Sequence, residues 1–159
     1  MSRSGYVDEE DEHGQFALWH GRVMSATRGK RGQALLREIE AALLALPTRE
    51  LIADKFCTKE GEVCALGARA VAAREKRGHD RRAAVESIAR KSRAMLERCG
   101  YADEEYGEAM TEDVDAADCL LKEIQFQNDE CGPWEETPQA RYERMLRWVR
   151  AQIKPEAAR

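Results

Sequence analysis

Apolar residues recur at steps of three and four through most of this chain, and that rhythm predicts its helices. Phe16, Trp19 and Val23 fall on one face of a first helix expected over 15–27. The two glycines of Arg28-Gly29-Lys30-Arg31-Gly32 interrupt it and favour a turn. Leu35, Ile39, Ala42, Leu43 and Leu46 make the clearest stripe, on a second helix from Gln33 to Leu46 that Pro47 stops. A third, from Asp80 to Cys99, carries Val85, Ile88, Met95, Leu96 and Cys99, with Asp80 as N-cap and Gly100 as the glycine beyond its end. Val114, Ala117, Leu121 and Ile124 share a face over 113–126. The last helix has Thr137 at its N-cap and Pro138 at its first position. Tyr142, Met145, Leu146, Val149 and Ile153 line its face, and Pro155 ends it. The alanine- and arginine-rich stretch 68–78 is only weakly periodic, and 103–112 reads as a loop or a short helix.

Between the second and third helices the period changes. Residues 51–57 and 62–66 read as two short strands around Thr58-Lys59-Glu60-Gly61. A four-residue loop sets Cys57 opposite Glu62 and Phe56 opposite Val63, a pair suited to burial on a shared face. An isolated hairpin is marginal in water, so its apolar face is expected on the helices. The expected fold is therefore mainly α (α+β). It is a single compact domain, 15–154, of about five helices with one β-hairpin packed against them, after a mobile acidic segment 1–14.

Composition narrows the setting. The 159 residues suit one domain, and 43% apolar residues can build its core, while 35% charged residues mark a well-solvated surface. No apolar run reaches membrane length and no apolar leader is present, so a cytoplasmic protein with no membrane partner is expected. Five cysteines, an odd number with no two-residue spacing, suit a reducing compartment better than a disulfide framework. The net charge of −4 conceals segregation. Residues 65–100 hold ten basic against four acidic residues, and 101–136 hold thirteen acidic against one basic.

Candidate chemistry is sparse. Cys57 and Cys64 would be neighbours in the hairpin, but His13, His20 and His79 have no ligand-like spacing, so no metal and no cofactor are expected. Asp103, Glu104, Glu105 and Glu108 could supply paired carboxylates, yet their neighbours are more acids rather than the aromatics of a substrate cleft. They read as a solvated acidic face. Gly29-Lys30-Arg31-Gly32 lacks the phosphate-loop arrangement and follows no strand. No nucleophile, base and orienting group can be assembled, so no catalytic residue is assigned and the chain is not expected to be an enzyme. Two binding readings remain. The acidic face Asp103, Glu104, Glu105 and Glu108 suits a basic protein partner. Alternatively Arg28, Lys30 and Arg31, with Arg77, Arg81 and Arg82, suit nucleic-acid phosphates, because a basic turn feeding a helix N-terminus offers cations and free N–H groups together. Trp19 belongs with the core, whereas Trp148, on the side of Arg141 and Arg144, could cover the core edge or anchor a partner.

Three stretches carry a family resemblance. The first is Trp19-His20-Gly21-Arg22 with Ser25 through Glu38; the second is Leu51 through Asp54 with Gly61 through Gly67. The third is Ile124 through Glu130, then Glu136 through Tyr142 and Arg147 through Ile153. In order and spacing they resemble a family of small, uncharacterised proteins of temperate phages and prophages of proteobacteria. Residues 68–112 depart from that pattern. The resemblance implies a phage origin, a bacterial host cytoplasm and a role accessory to infection. In that setting the acidic face suits an inhibitor of a host protein, antiviral or nucleic-acid-handling, and small nucleic-acid binding is the alternative.

Overall fold

The computed structural model describes residues 9–98 and 116–155, with side chains described over 18–92 and 119–155. In chain order the helices are α1 (Glu9–Arg28), α2 (Lys30–Leu44), α3 (Ala65–Glu75), α4 (Arg81–Arg98), α5 (Ala116–Asp129) and α6 (Pro138–Gln152). The central helix is α2, which touches α1, α3, α5 and α6. Its buried positions are Gly32, Gln33, Leu36, Ile39, Ala42 and Leu43, continued by Leu46 beyond its end. The expected stripe is thus shifted by one residue at its start: Leu36 is buried, and Leu35 is half-buried at the core edge. With helices on several sides, α2 buries an arc wider than a surface helix, and its phase is correspondingly harder to read.

Helix termini follow the local signals. Thr137 Oγ1 accepts from Ala140 N–H at 3.2 Å, and Asp80 Oδ1 accepts from Ala83 N–H at 2.9 Å, so both caps hold the first orphan donors of their helices. Only Gly29 interrupts the α1–α2 junction. Gly32 lies inside α2, where an added Cβ would stand 2.0 Å from the Ala26 carbonyl oxygen. Glycine there lets two consecutive helices meet at backbone distance. The weakly periodic stretch after residue 65 is a true helix, α3. Its buried face is made of small residues, Ala65, Gly67 and Ala68, with Leu66 and Val71, so its apolar signal is faint.

The β-hairpin is absent. Among the described residues there is no strand or sheet, and 51–64 keeps one isolated antiparallel bridge, Cys57 with Val63. That bridge is one residue out of the expected register, which paired Phe56 with Val63. Two local features prevent a ladder from extending. Asp54 takes a left-handed backbone, φ 59°, and turns the chain out of an extended path. On the other side Cys64 is already the N-cap of α3. The fold is accordingly all-helical in its described part, with a long buried loop in place of the hairpin.

That loop is part of the core. Leu51, Phe56, Cys57, Val63 and Cys64 are all buried. Several of its backbone polar groups are met by α4, by α6 and by the loop itself, as a buried loop requires. Leu51 N–H donates to Pro138 O, Phe56 N–H to Ser92 Oγ, and Cys64 N–H to Phe56 O. The main cluster joins these residues to Leu36, Ile39, Leu43, Val71, Val85, Ile88, Leu120, Ile124, Met145 and Val149. Of the two neighbouring leucines on α5, Leu120 is buried and Leu121 only partly so. Helix α1 contributes Val23 to the interior and packs along α5.

Candidate functional site

A connected set of polar side chains lies where α5 ends and α6 begins. Asn128, wholly buried, accepts from Ala65 N–H at 3.1 Å and donates to Ile52 O at 2.9 Å. It therefore satisfies one of the orphan donors at the start of α3 and one carbonyl of the buried loop. Its amide also donates to Asp129 Oδ1 at 2.6 Å, and Gln125 Nε2 donates to Asp129 Oδ2 at 2.7 Å. Burial pushes the Asp129 carboxyl above its ordinary range, against the opposing pull of those two amides.

Glu136 closes the loop that follows. Its carboxylate, 3% exposed, receives Arg144 Nε at 2.6 Å and Arg144 Nη2 at 2.8 Å, a two-point guanidinium–carboxylate pair. Arg144 also donates to the carbonyls of Gln127 and Asn128, which are end carbonyls of α5. Arg141 Nε stands 3.3 Å from Glu136 Oε2 without hydrogen-bond geometry, while its Nη1 donates to Leu51 O. The hydrogen bonds from Arg144 hold the Glu136 carboxyl below its ordinary range. Loop 130–137 is thereby tied to both helices that flank it. From it Trp134 projects with its side chain wholly exposed.

The basic candidates form two clusters. Arg28, Lys30 and Arg31 are exposed at the α1–α2 junction, where Gly29 gives α2 no side-chain cap. The C-terminal segment braces this junction. Gln33 Nε2 donates to Thr27 O and Gln152 O, Gln33 Oε1 accepts from Lys154 N–H, and Lys154 Nζ donates to Arg28 O. Arg37 reaches Lys154 O, so Arg37 and Lys154 join a basic corner that periodicity gave no means of assembling. The second cluster lies at the α3–α4 turn. Arg77 is exposed, Arg81 pairs with Glu75 at 3.3 Å, and Arg82 pairs with Glu86 at 3.4 Å.

The acidic candidates Asp103, Glu104, Glu105 and Glu108 lie outside the described residues. Trp148 is half-buried and packs against the core cluster, and Trp19 is half-buried on α1. Cys57, Cys64 and Cys119 are buried thiols and Cys131 is an exposed one. Among the described residues no three His, Cys, Asp or Glu side chains are grouped to hold a metal. No described helix is long and apolar enough to cross a membrane. Sequence reading passed over Trp134, whose only signal is a large aromatic in a Gly-Pro loop between glutamates. No protein-family model, curated protein or solved structure matches the chain.

Proposed function

We propose that this chain is a phage-encoded accessory protein that binds a host protein by presenting an acidic face to a basic surface. What supports the reading is the fate of the basic side chains. Arg69 pairs with Glu38, Arg81 with Glu75, Arg82 with Glu86 and Arg150 with Glu40, so these cations of α3, α4 and α6 are met by acids that lie outside residues 101–136. Residues 101–136, at thirteen acids against one lysine, are the largest block of one sign in the sequence, and of these Glu136 is paired with Arg144 and Arg141. A field of that sign steers a basic partner and competes with nucleic acid for the same groove. The test is affinity capture from a host lysate with the native protein and with Asp103→Asn, Glu104→Gln, Glu105→Gln, Glu108→Gln combined. A protein held at low salt by the first and released by the second supports the reading. Identical captures from both end it.

One observation favours a second reading, small nucleic-acid binding. Arg28, Lys30 and Arg31 surround the N-terminus of α2, whose first N–H groups meet no capping side chain. Backbone contacts weaken steeply with salt through counterion release. A duplex titrated at about 50 and 200 mM salt separates the two, and no affinity at the lower salt removes this alternative.

A further inference from the structure

Trp134 is the one large apolar side chain among the described residues that is wholly open to solvent. A tryptophan is among the largest apolar groups a chain can bury, so this exposure forgoes stabilisation the fold could have used. The backbone carrying it is nonetheless held firmly. Glu136 N–H donates to Pro133 O at 3.0 Å, closing a turn around Trp134. The Glu136 carboxylate is gripped twice by Arg144, which also holds the last turn of α5. Arg141 and Arg144 are turned inward on Glu136, at 14% and 21% exposure. The segment 129–136 contains Asp129, Glu130, Glu135 and Glu136 and no lysine or arginine, and Glu130 and Glu135 are exposed. Phe126, 39% exposed, adds apolar surface on the last turns of α5.

From this we infer that Trp134, flanked by Glu130 and Glu135, is an aromatic anchor for an arginine-bearing segment of a protein partner. The inference rests on reading the chain as a binder of basic proteins, and it assigns that binder a contact that does not depend on where residues 103–108 lie. The chemistry selects arginine. A guanidinium stacks on an indole face and is more weakly hydrated than an ammonium, so it leaves water at lower cost than lysine. The glutamates add a field of the matching sign. The tethered loop lowers the ordering cost of association, because the backbone that carries the indole is already fixed. The same acids disfavour nucleic acid, whose bases could otherwise stack on an exposed tryptophan.

The experiment uses the full chain and two probes of equal length, an arginine–glycine peptide and a lysine–glycine peptide, titrated calorimetrically at low salt. The arginine peptide is expected to bind more tightly than the lysine peptide. Trp134→Ala should weaken it roughly tenfold, and Trp134→Phe by less. Glu130→Gln with Glu135→Gln should flatten the salt dependence. Because Trp134 makes no buried contact, its variants should melt with the native protein. Equal affinity of native and Trp134→Ala protein overturns the inference. So does absence of binding by both peptides, or tighter binding of single-stranded DNA than of the arginine peptide. If Trp134→Ala is neutral while the neutralised 103–108 variant binds weakly, the anchor fails and the acidic-face reading stands. If neither variant changes affinity, both fail.

Discussion

Removing Arg144 tests the support of the exposed loop. Arg144→Met keeps most of the side-chain bulk and removes the guanidinium. Glu136 then keeps a carboxylate at 3% exposure, with Arg141 Nε at 3.3 Å but out of hydrogen-bond alignment. Two end carbonyls of α5, those of Gln127 and Asn128, lose a donor as well. Breaking a buried ion pair by deleting one partner costs about 3–5 kcal/mol. The remaining Arg141 places this case near the lower figure, about 3 kcal/mol. For a chain of this size that lowers Tm by roughly 6–12 °C. The pH dependence carries the sharper signature. In the native protein Arg144 holds the Glu136 pKa below its unfolded value, so the pair's contribution is present at neutral pH and is lost as pH falls through that lowered pKa. In the variant that contribution is missing, so acid removes stability mainly from the native protein. Thermal melts by circular dichroism from neutral pH down through the lowered Glu136 pKa should show the two proteins converging below the ordinary glutamate range. A gap under about 1 kcal/mol at neutral pH, or one that does not narrow in acid, would refute the assignment of Arg144 as the holder of this loop.

Three further outcomes follow from the geometry. Gly67→Ala places a Cβ 1.7 Å from Phe56 O, a backbone atom of the buried loop; the clash should outweigh the helix gain of about 1 kcal/mol and lower denaturant stability by 1–3 kcal/mol or more, about the cost of overpacking. Asp129, pushed up by burial, should titrate above the ordinary carboxylate range in a side-chain NMR titration, and a midpoint at or below that range would contradict its burial. Timed alkylation read by mass spectrometry should label Cys131 before Cys57, Cys64 and Cys119, since only Cys131 among these four is exposed; simultaneous labelling would contradict the core they occupy.

The helix ends capped by Thr137 and Asp80 were the most legible parts of this fold. Thr137-Pro138 and Asp80 state their geometry in two or three residues, and tertiary contacts need only leave them undisturbed. The stripes on α2 and α5 were legible as stripes but not in phase. A period of 3.6 allows neighbouring leucines such as Leu35 and Leu36, or Leu120 and Leu121, to exchange places until the packing partners are known. The loop 51–64 was misread for a related reason. Alternating apolar residues describe burial, and here burial is against helices on several sides rather than on one face of a ladder. Asp54 in a left-handed conformation has no strong sequence mark. The α5–α6 corner was illegible because Asn128, Glu136 and Arg144 gain meaning only when Ala65, Ile52 and Gln127 arrive beside them. Trp134 escaped notice because periodicity says nothing about a residue that faces no core.

The same corner joins stability to recognition. Arg144 and Arg141 could have been surface cations beside Trp134 and offset the charge of Glu130 and Glu135. Their inward turn to one buried carboxylate removes them from the surface and leaves the loop negative around the indole. A buried ion pair is weak support for a fold when weighed against a hydrophobic replacement, since desolvating both charges costs much of what their attraction returns. What this pair does supply is a fixed loop and a surface free of competing cations. An Arg144→Met, Glu136→Leu double variant separates these effects. It replaces the pair with apolar groups of similar size, so it should recover much of the stability lost in Arg144→Met alone. Its loop, no longer tied by the guanidinium to the carbonyls of Gln127 and Asn128, should still bind the arginine peptide less tightly than the native protein. Recovery of stability together with full peptide affinity would show that the tether has no part in recognition, and that the exposed indole and its glutamates suffice.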